Sequence, residues 1–381
     1  MRSRASRVLA LTVAIGLASI GLAVASGSAA AKDIDHSSTF VTSVFATGGS
    51  SLSKPDDITS MGGSIFVSWQ NGVGSKGEPD SNGNPYSTIA QYSSSGRLVN
   101  SWQLLGRCDG MSADPQHGRI IATVNEDGNS SLYVIKPDTH GSAQLVQYTY
   151  SPDPMNVPGD GGGTDAPHVY RGQIFISASA PSGTSAPAVY HATLSGTTAT
   201  LTPVSFDNSV ATVANTNDPN HGNTTSLGLT DPDSNIVVPR SSPRFGGDFM
   251  LDSQGDGVQV YVQSAGMGGQ RLFLLTLSGA GDLTSVDDTV WATSSRGTLY
   301  ATDGSMTVYA IRGHFDVGAA YSAVSPCNAN NAPSTGCTPP NWLGTLNLNT
   351  GLLTPVASVT MQPKGLAFVG GAGANGEASS D

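Results

Sequence analysis

Six aspartates open comparable stretches of this chain. Asp56 and Asp57 begin "DDITSMGGSIFVSW", Asp109 begins "DGMSADPQHGRIIATV" and Asp165 begins "DAPHVYRGQIFISAS". Asp248 begins "DFMLDSQGDGVQVYVQ", and Asp288 lies in "DDTVWATSSRGTLYATD". Carboxylate oxygens converging from several strands suit a hard cation such as Ca²⁺. Asp56, Asp57, Asp109, Asp165 and Asp248 are therefore the candidate metal ligands. The plainer role for each is a turn cap, because aspartate at a strand start bonds nearby backbone N–H groups.

Two loops add further groups. "NEDGNSS" from Asn125 follows a predicted strand and offers an amide oxygen and a carboxylate at Asn125 and Glu126. "PGDGGGTDAPHVY" from Pro158 sets a glycine run before Asp165 and His168, where the backbone can approach a ligand closely. Imidazole titrates near neutral pH, so His168 is the candidate for acid–base work. The candidate ligand-binding residues are Asp109, Asn125, Glu126, Asp165 and His168. No G-x-S-x-G, H-E-x-x-H or C-x-x-C occurs, which argues against an α/β-type serine hydrolase and a zinc protease.

The elements that must position these groups follow from a repeat. After each leading acid comes a short strand, a glycine-rich turn and a second strand rich in Ile, Val and Phe. The second strands begin at Ile65, Ile120 and Ile174, spaced by 55 and 54 residues. Between these hairpins lie others with Ser/Asn/Gly turns, such as "TIAQYSSSGRLVNSWQL" from Thr88 and "LGTLNLNTGLLTPVAS" from Leu343. Four antiparallel strands per repeat of this length describe a β-propeller blade. The expected fold is all-β, a propeller of six blades, with seven left open. Asn215–Arg244 breaks the rhythm and reads as a blade's own hairpin or an insertion. The strand "TFVTSVFATG" from Thr39 has no earlier partner and should complete the last blade.

Composition bounds the rest. Arg2, Arg4 and Arg7, an apolar run from Val8 and a small-residue stretch ending at Ala31 describe a secretory signal peptide over residues 1–31. Residues 32–369 then form one propeller domain, and 370–381 a flexible tail. Export implies a secreted, extracellular protein with no membrane span in the mature chain. Beyond residue 31 there are 14 basic against 28 acidic residues, a net charge of −14. That excludes the basic footprint nucleic acid requires. Cys327 and Cys337 flank a loop without apolar periodicity and should form a disulfide in an oxidising compartment. Nothing suggests more than a monomer.

The stretch Asp109, Gly110, Asp114 and Gly118 resembles the blade motif of gluconolactonase-like and NHL-repeat propellers. Pro55 and Asp56 match the start of that motif, with Asp57 in place of its glycine. The resemblance implies a central tunnel with ligands at one mouth. In its lactonase members it implies a divalent metal, often calcium, held by Glu, Asn and Asp from different blades. The early Glu of those enzymes is not evident here, and Asp56 and Asp57 occupy its region. The first functional reading is thus a ligand- or partner-binding propeller, with or without a calcium ion. Its partner would be a small molecule or an extracellular protein or polysaccharide. A metal-dependent lactonase-like hydrolase or lyase and a cell-envelope interaction scaffold are the rivals.

Overall fold

Short β-branched runs separated by glycine favour strands, and strands carry nearly all the regular structure. The structure is a computed structural model. It describes residues 40–182, 185–279, 285–304, 306–325 and 341–371, all within the unit Ser38–Asp381. Helical pieces among these residues are single 3₁₀ turns.

Six strands form a ring. They are Pro55–Met61, Cys108–Asp114, Thr164–Tyr170, Pro232–Val237, Ser285–Trp291 and Pro363–Gly370. Each packs against the next, and the last packs against the first. An antiparallel group extends outward from every one. The first group continues through Ser64–Trp69, Tyr86–Ser93 and Leu98–Leu105. The second and third groups are built the same way, and their outer edges join where Thr149–Ser151 pairs in parallel with Thr198–Thr200.

The turns of the leading hairpins explain the glycines. Gly62 and Gly63 both have positive φ, as do Arg171 and Gly172, which is the type I′ pattern of a two-residue hairpin. The strands behind them look continuously apolar because both faces are covered. In Arg119–Val124, Ile120, Ala122 and Val124 pack with Phe66, Ile89 and Leu104 of the first group. Ile121 points the other way, toward Ile174, Ile176 and Tyr190 of the third. Five further junctions like the first complete the circuit, and the last joins Tyr300 and Val308 to Val67 and Trp69. Each large side chain so covered contributes about 1.5–3 kcal/mol.

Two segments depart from the expected order. The sequence reads Asp287–Asp303 as one hairpin, but its strands belong to different groups. Ser285–Trp291 pairs with Ala320–Ser325, which leads on to Trp342–Leu346 and Leu353–Pro355. The hairpin Arg296–Asp303 with Thr307–His314 instead pairs with Pro363–Gly370 on one side. On the other side it pairs with Val41–Thr47, so both ends of the described chain share one group, as expected. Gly297 permits the crossing, since a Cβ there would stand 2.6 Å from the Phe368 ring. Asn215–Arg244 proves to be composite. Its start completes an edge hairpin, Val210–Val213 with Thr224–Ser226, and its end supplies the inner strand Pro232–Val237. The proposed signal peptide, the Cys327–Cys337 disulfide and nearly all of the proposed tail lie outside the described residues.

Candidate functional site

Every inner strand carries a register break near its start. The breaks fall between Pro55 and Ile58, Cys108 and Met111, Thr164 and Pro167, Pro232 and Asn235, and Val286 and Asp288. The sixth lies opposite the step from Ala301 to Asp303, where Leu366 and Pro363 pair. Such bulges re-aim the side chains they hold. The residues so placed are Asp56, Asp109, Asp165, Asp233, Asp287 and Lys364, five aspartates and one lysine at equivalent positions around the ring.

The backbone beneath this ring is latched. A hydroxyl on the second strand reaches the bulge carbonyl of its own group and the acid-bearing carbonyl of the next. Thr123 Oγ1 donates to Gly110 O at 3.2 Å and to Asp165 O. Ser177 Oγ donates to Ala166 O at 3.1 Å and Asp233 O at 2.5 Å. Thr302 Oγ1 donates to Gly365 O at 3.3 Å and Asp56 O. The neighbouring strands approach so closely that a Cβ on Gly110 would sit 2.3 Å from Ala166 Cα.

Asp57 belongs to this latching. Its carboxylate accepts from Ile58 N at 2.6 Å and from Met111 N of the next strand at 2.5 Å. Asp288 repeats the arrangement, accepting from Thr289 N and from Leu366 N, each at 2.7 Å. Burial pushes Asp288 up to about 7. Both residues thus take the turn-capping role rather than the metal-binding one.

The ring positions differ in how they are satisfied. Lys364 Nζ lies 3.0 Å from Asp56 Oδ1, and Asp56, with Asp287, raises the ammonium pKa. Gln254 Nε2 donates to Asp287 Oδ1. Arg107 Nε lies 2.8 Å and Gln70 Nε2 3.1 Å from Asp109 Oδ1, while Asp109 Oδ2 has no partner. Arg107 Nη1 also meets Glu126 at 3.0 Å. Among the described residues no hydrogen bond reaches the carboxyls of Asp165 or Asp233. Burial, and then the charges of Glu126 and Asp109, push Asp165 well above the usual carboxylate range. Asp233 is raised by burial and then by Asp165.

The ring borders one end of a cavity of about 1130 Å³ that runs along the inner strands. Beyond the bulges its wall is Thr59, Ser112 and His168 on three successive strands, then Ile236, Val290 and Ala367 on the other three. One half is polar and the other apolar. His168 Nδ1 is 3.2 Å from Ser112 Oγ, and burial pushes its imidazole down to about 4. It is neutral near pH 7 and makes no hydrogen bond to Asp165, which sits three residues back at the bulge.

Sequence reasoning placed several residues elsewhere. Asp248 precedes a strand antiparallel to the inner ones, so it lines the opposite end of the cavity near Arg171. Its place in the ring belongs to Asp233, and that of Asp288 to Asp287. Asn125 takes positive φ and uses its side chain on backbone groups, accepting from Arg107 N at the entry to the inner strand at 2.9 Å and donating to Asn129 O of its own loop at 3.1 Å. Asp56, Asp57, Asp109, Asp165 and Asp248 therefore do not gather into one centre. Among the described residues no group of three or more His, Cys, Asp or Glu is placed to hold a metal ion. Asp233, Asp287, Lys364 and Arg107 were missed. The signal was present in "PDS", "VDD" and "PKG", which continue the series "PDD", "CDG", "TDA".

No family model and no curated protein matches the sequence. Solved structures similar in their fold include three bacterial proteins. A protein of unknown function from Bacteroides caccae is 10% identical over 83% of this chain and 86% of its own, with a TM-score of 0.44. A periplasmic gluconolactonase of Pseudomonas aeruginosa is 12% identical, covering 83% and 88%, with a TM-score of 0.41. A putative 6-phosphogluconolactonase from Bacteroides uniformis is 13% identical, covering 85% and 90%, also at 0.41. Among the described residues no helix is long and apolar enough to cross a membrane.

Proposed function

We propose that this chain is a secreted, six-bladed β-propeller that binds a small molecule in its axial cavity, gripping it at the acidic mouth. The observation that carries this reading is the repetition of one device. Five inner strands each bulge at the same place and carry an aspartate there, and four of these, Asp56, Asp109, Asp233 and Asp287, line one end of a shared cavity. Turn-capping explains Asp57 and Asp288, whose oxygens are taken by backbone N–H groups. It does not explain Asp109, whose buried Oδ2 is left without a partner at a cost in free energy. Large concave cavities with a few convergent polar groups are the usual small-molecule sites.

A lactonase-like reaction assisted by calcium would need several oxygens converging at about 2.3–2.6 Å, and the proposed ligand set does not supply that arrangement. The leader-like residues 1–31 support secretion.

The test is native mass spectrometry of the full chain after incubation with a small-molecule metabolite library. Thr59→Trp, which narrows the cavity without touching a core cluster, is the comparison. A bound species on the wild type that disappears in Thr59→Trp supports the reading. Equal retention by both proteins, or no bound species on either, overturns it.

A further inference from the structure

The mouth reveals its ligand's chemistry by what it lacks. Asp109 Oδ2 and Asn235 Oδ1 have no hydrogen-bond partner, and their residues are only 8% and 7% exposed. Both line the cavity. The Asn235 amide is fixed in orientation, because its Nδ2 donates to Ala166 O at 2.6 Å and Ser177 Oγ at 3.3 Å. Its oxygen is therefore the group left over. The carboxyl of Asp233 also lines the cavity, and the charge of Asp165 raises its pKa. Ser234 Oγ, between Asp233 and Asn235, also lines the cavity without a partner and can donate or accept, and Arg107 Nε lies 2.8 Å from Asp109 Oδ1 without a well-aligned hydrogen bond. The two nearby cations are already committed, Lys364 to Asp56 and Arg107 to Asp109 and Glu126.

An anion would be repelled by such a mouth, and a neutral hydroxyl brings one proton and no charge. An ammonium carries three donors, a positive charge and no acceptor. It needs no fixed shell of six to eight oxygens, unlike a hard divalent ion, and no such metal grouping exists among the described residues. Beyond the mouth, Ile236, Val290 and Ala367 offer an apolar surface, and the neutral His168 opposite adds no repelling charge. Building on the axial-cavity reading, we propose that the ligand is an organic ammonium ion, a primary amine on a partly apolar body. Its nitrogen is held by Asp109, Asp233 and Asn235, which line the cavity, with the charge of Asp165 behind them.

Cation binding also has a protonic signature. Asp109, Asp165 and Asp233 all bind protons more tightly than ordinary carboxyls because they are buried. A cation that favours their ionised forms must release protons as it binds.

The experiment is titration calorimetry of the full chain with hexylamine, phenethylamine and spermidine, against hexanol, phenethyl alcohol and CaCl₂. It is run near pH 7 in two buffers of different ionisation enthalpy. At least one amine should bind tenfold or more tightly than its matched alcohol, with buffer-dependent heat that reports proton release. Asp233→Asn and Asn235→Leu should each weaken it at least tenfold. Asp138→Asn, on the exposed outer face, should not. Asp109→Asn is a further variant whose fold is checked by circular dichroism, since Asp109 also holds Arg107. Equal binding of amine and alcohol, unchanged affinity in both Asp233→Asn and Asn235→Leu, or binding of CaCl₂ alone would overturn the proposal. If the amines fail while the library yields a Thr59→Trp-sensitive neutral or anionic ligand, the ammonium assignment falls and the cavity reading stands.

Discussion

Lys364 Nζ stands 3.0 Å from Asp56 Oδ1, joining the last inner strand to the first across 308 positions of sequence. Lys364 is the one cation among six equivalent ring positions, and it lies at the seam where the circle of strands closes. Lys364→Met leaves Asp56 and Asp287 facing each other without it. The lysine side chain is 40% exposed, so the expected loss is about 1–2 kcal/mol, below the value for a fully buried pair. Asp56→Asn should cost less, because Asp287 still faces the ammonium. Urea unfolding of both variants checks the order.

Replacing Thr123 with valine keeps the side-chain shape and deletes the hydroxyl that reaches Gly110 O and Asp165 O. The two buried carbonyls lose the one proton they share, which should cost about 1–3 kcal/mol. Thr123→Ser should recover most of the loss. A Thr123→Val protein as stable as the wild type would remove the latch from the account of the ring.

Gly110→Ala forces a methyl to within 2.3 Å of Ala166 Cα, where backbone and not a flexible side chain must yield. Overpacking of this kind costs about 1–3 kcal/mol, and the backbone contact places this case at the upper end. The melting temperature should fall by several degrees. Gly62→Ala, with open space around its Cβ position but positive φ, should lose less.

Stability should rise on mild acidification. Burial raises Asp160 and Asp231 to about 6 and Asp288 to about 7 from an ordinary value of 3.8. A carboxyl raised in the folded state binds protons more tightly there than in the unfolded chain. Its stabilising contribution is full below about 4 and is lost as pH climbs through 6 to 7. The melting temperature at pH 5 should therefore exceed that at pH 8, and the gap should shrink in Asp231→Asn. A melting temperature that rises steadily from pH 5 to pH 8 would contradict this.

Much of the architecture was legible because the physical cause was local. The apolar run Ile120 to Val124 behind Gly118, and the Gly62–Gly63 turn in its own repeat, each announce a hairpin within a dozen residues. The leading acids were visible for the same reason, since Asp56, Asp109 and Asp165 each open such a hairpin. Asp233 is hidden in the sequence because its inner strand follows a polar edge hairpin that breaks the repeat, and Asp248 opens the next stretch that looks like a leading hairpin. The crossing of Arg296–His314 was hidden for a different reason. "GTLYATD" and "AYSAVS" are alike as strands, and the choice between them rests on contacts such as Thr302 with Asp56 that span most of the chain.

That crossing also bears on how the molecule comes apart. Ser285–Trp291 and Ala320–Ser325 sit in one group, while the hairpin between them in sequence sits in the next, beside both Val41–Thr47 and Pro363–Gly370. The fifth and sixth groups are threaded through each other. Val41–Thr47 is paired on one side only and can come away first, whereas the hairpin Arg296–His314 lies between two strands of its own group and is flanked in sequence by strands of the other.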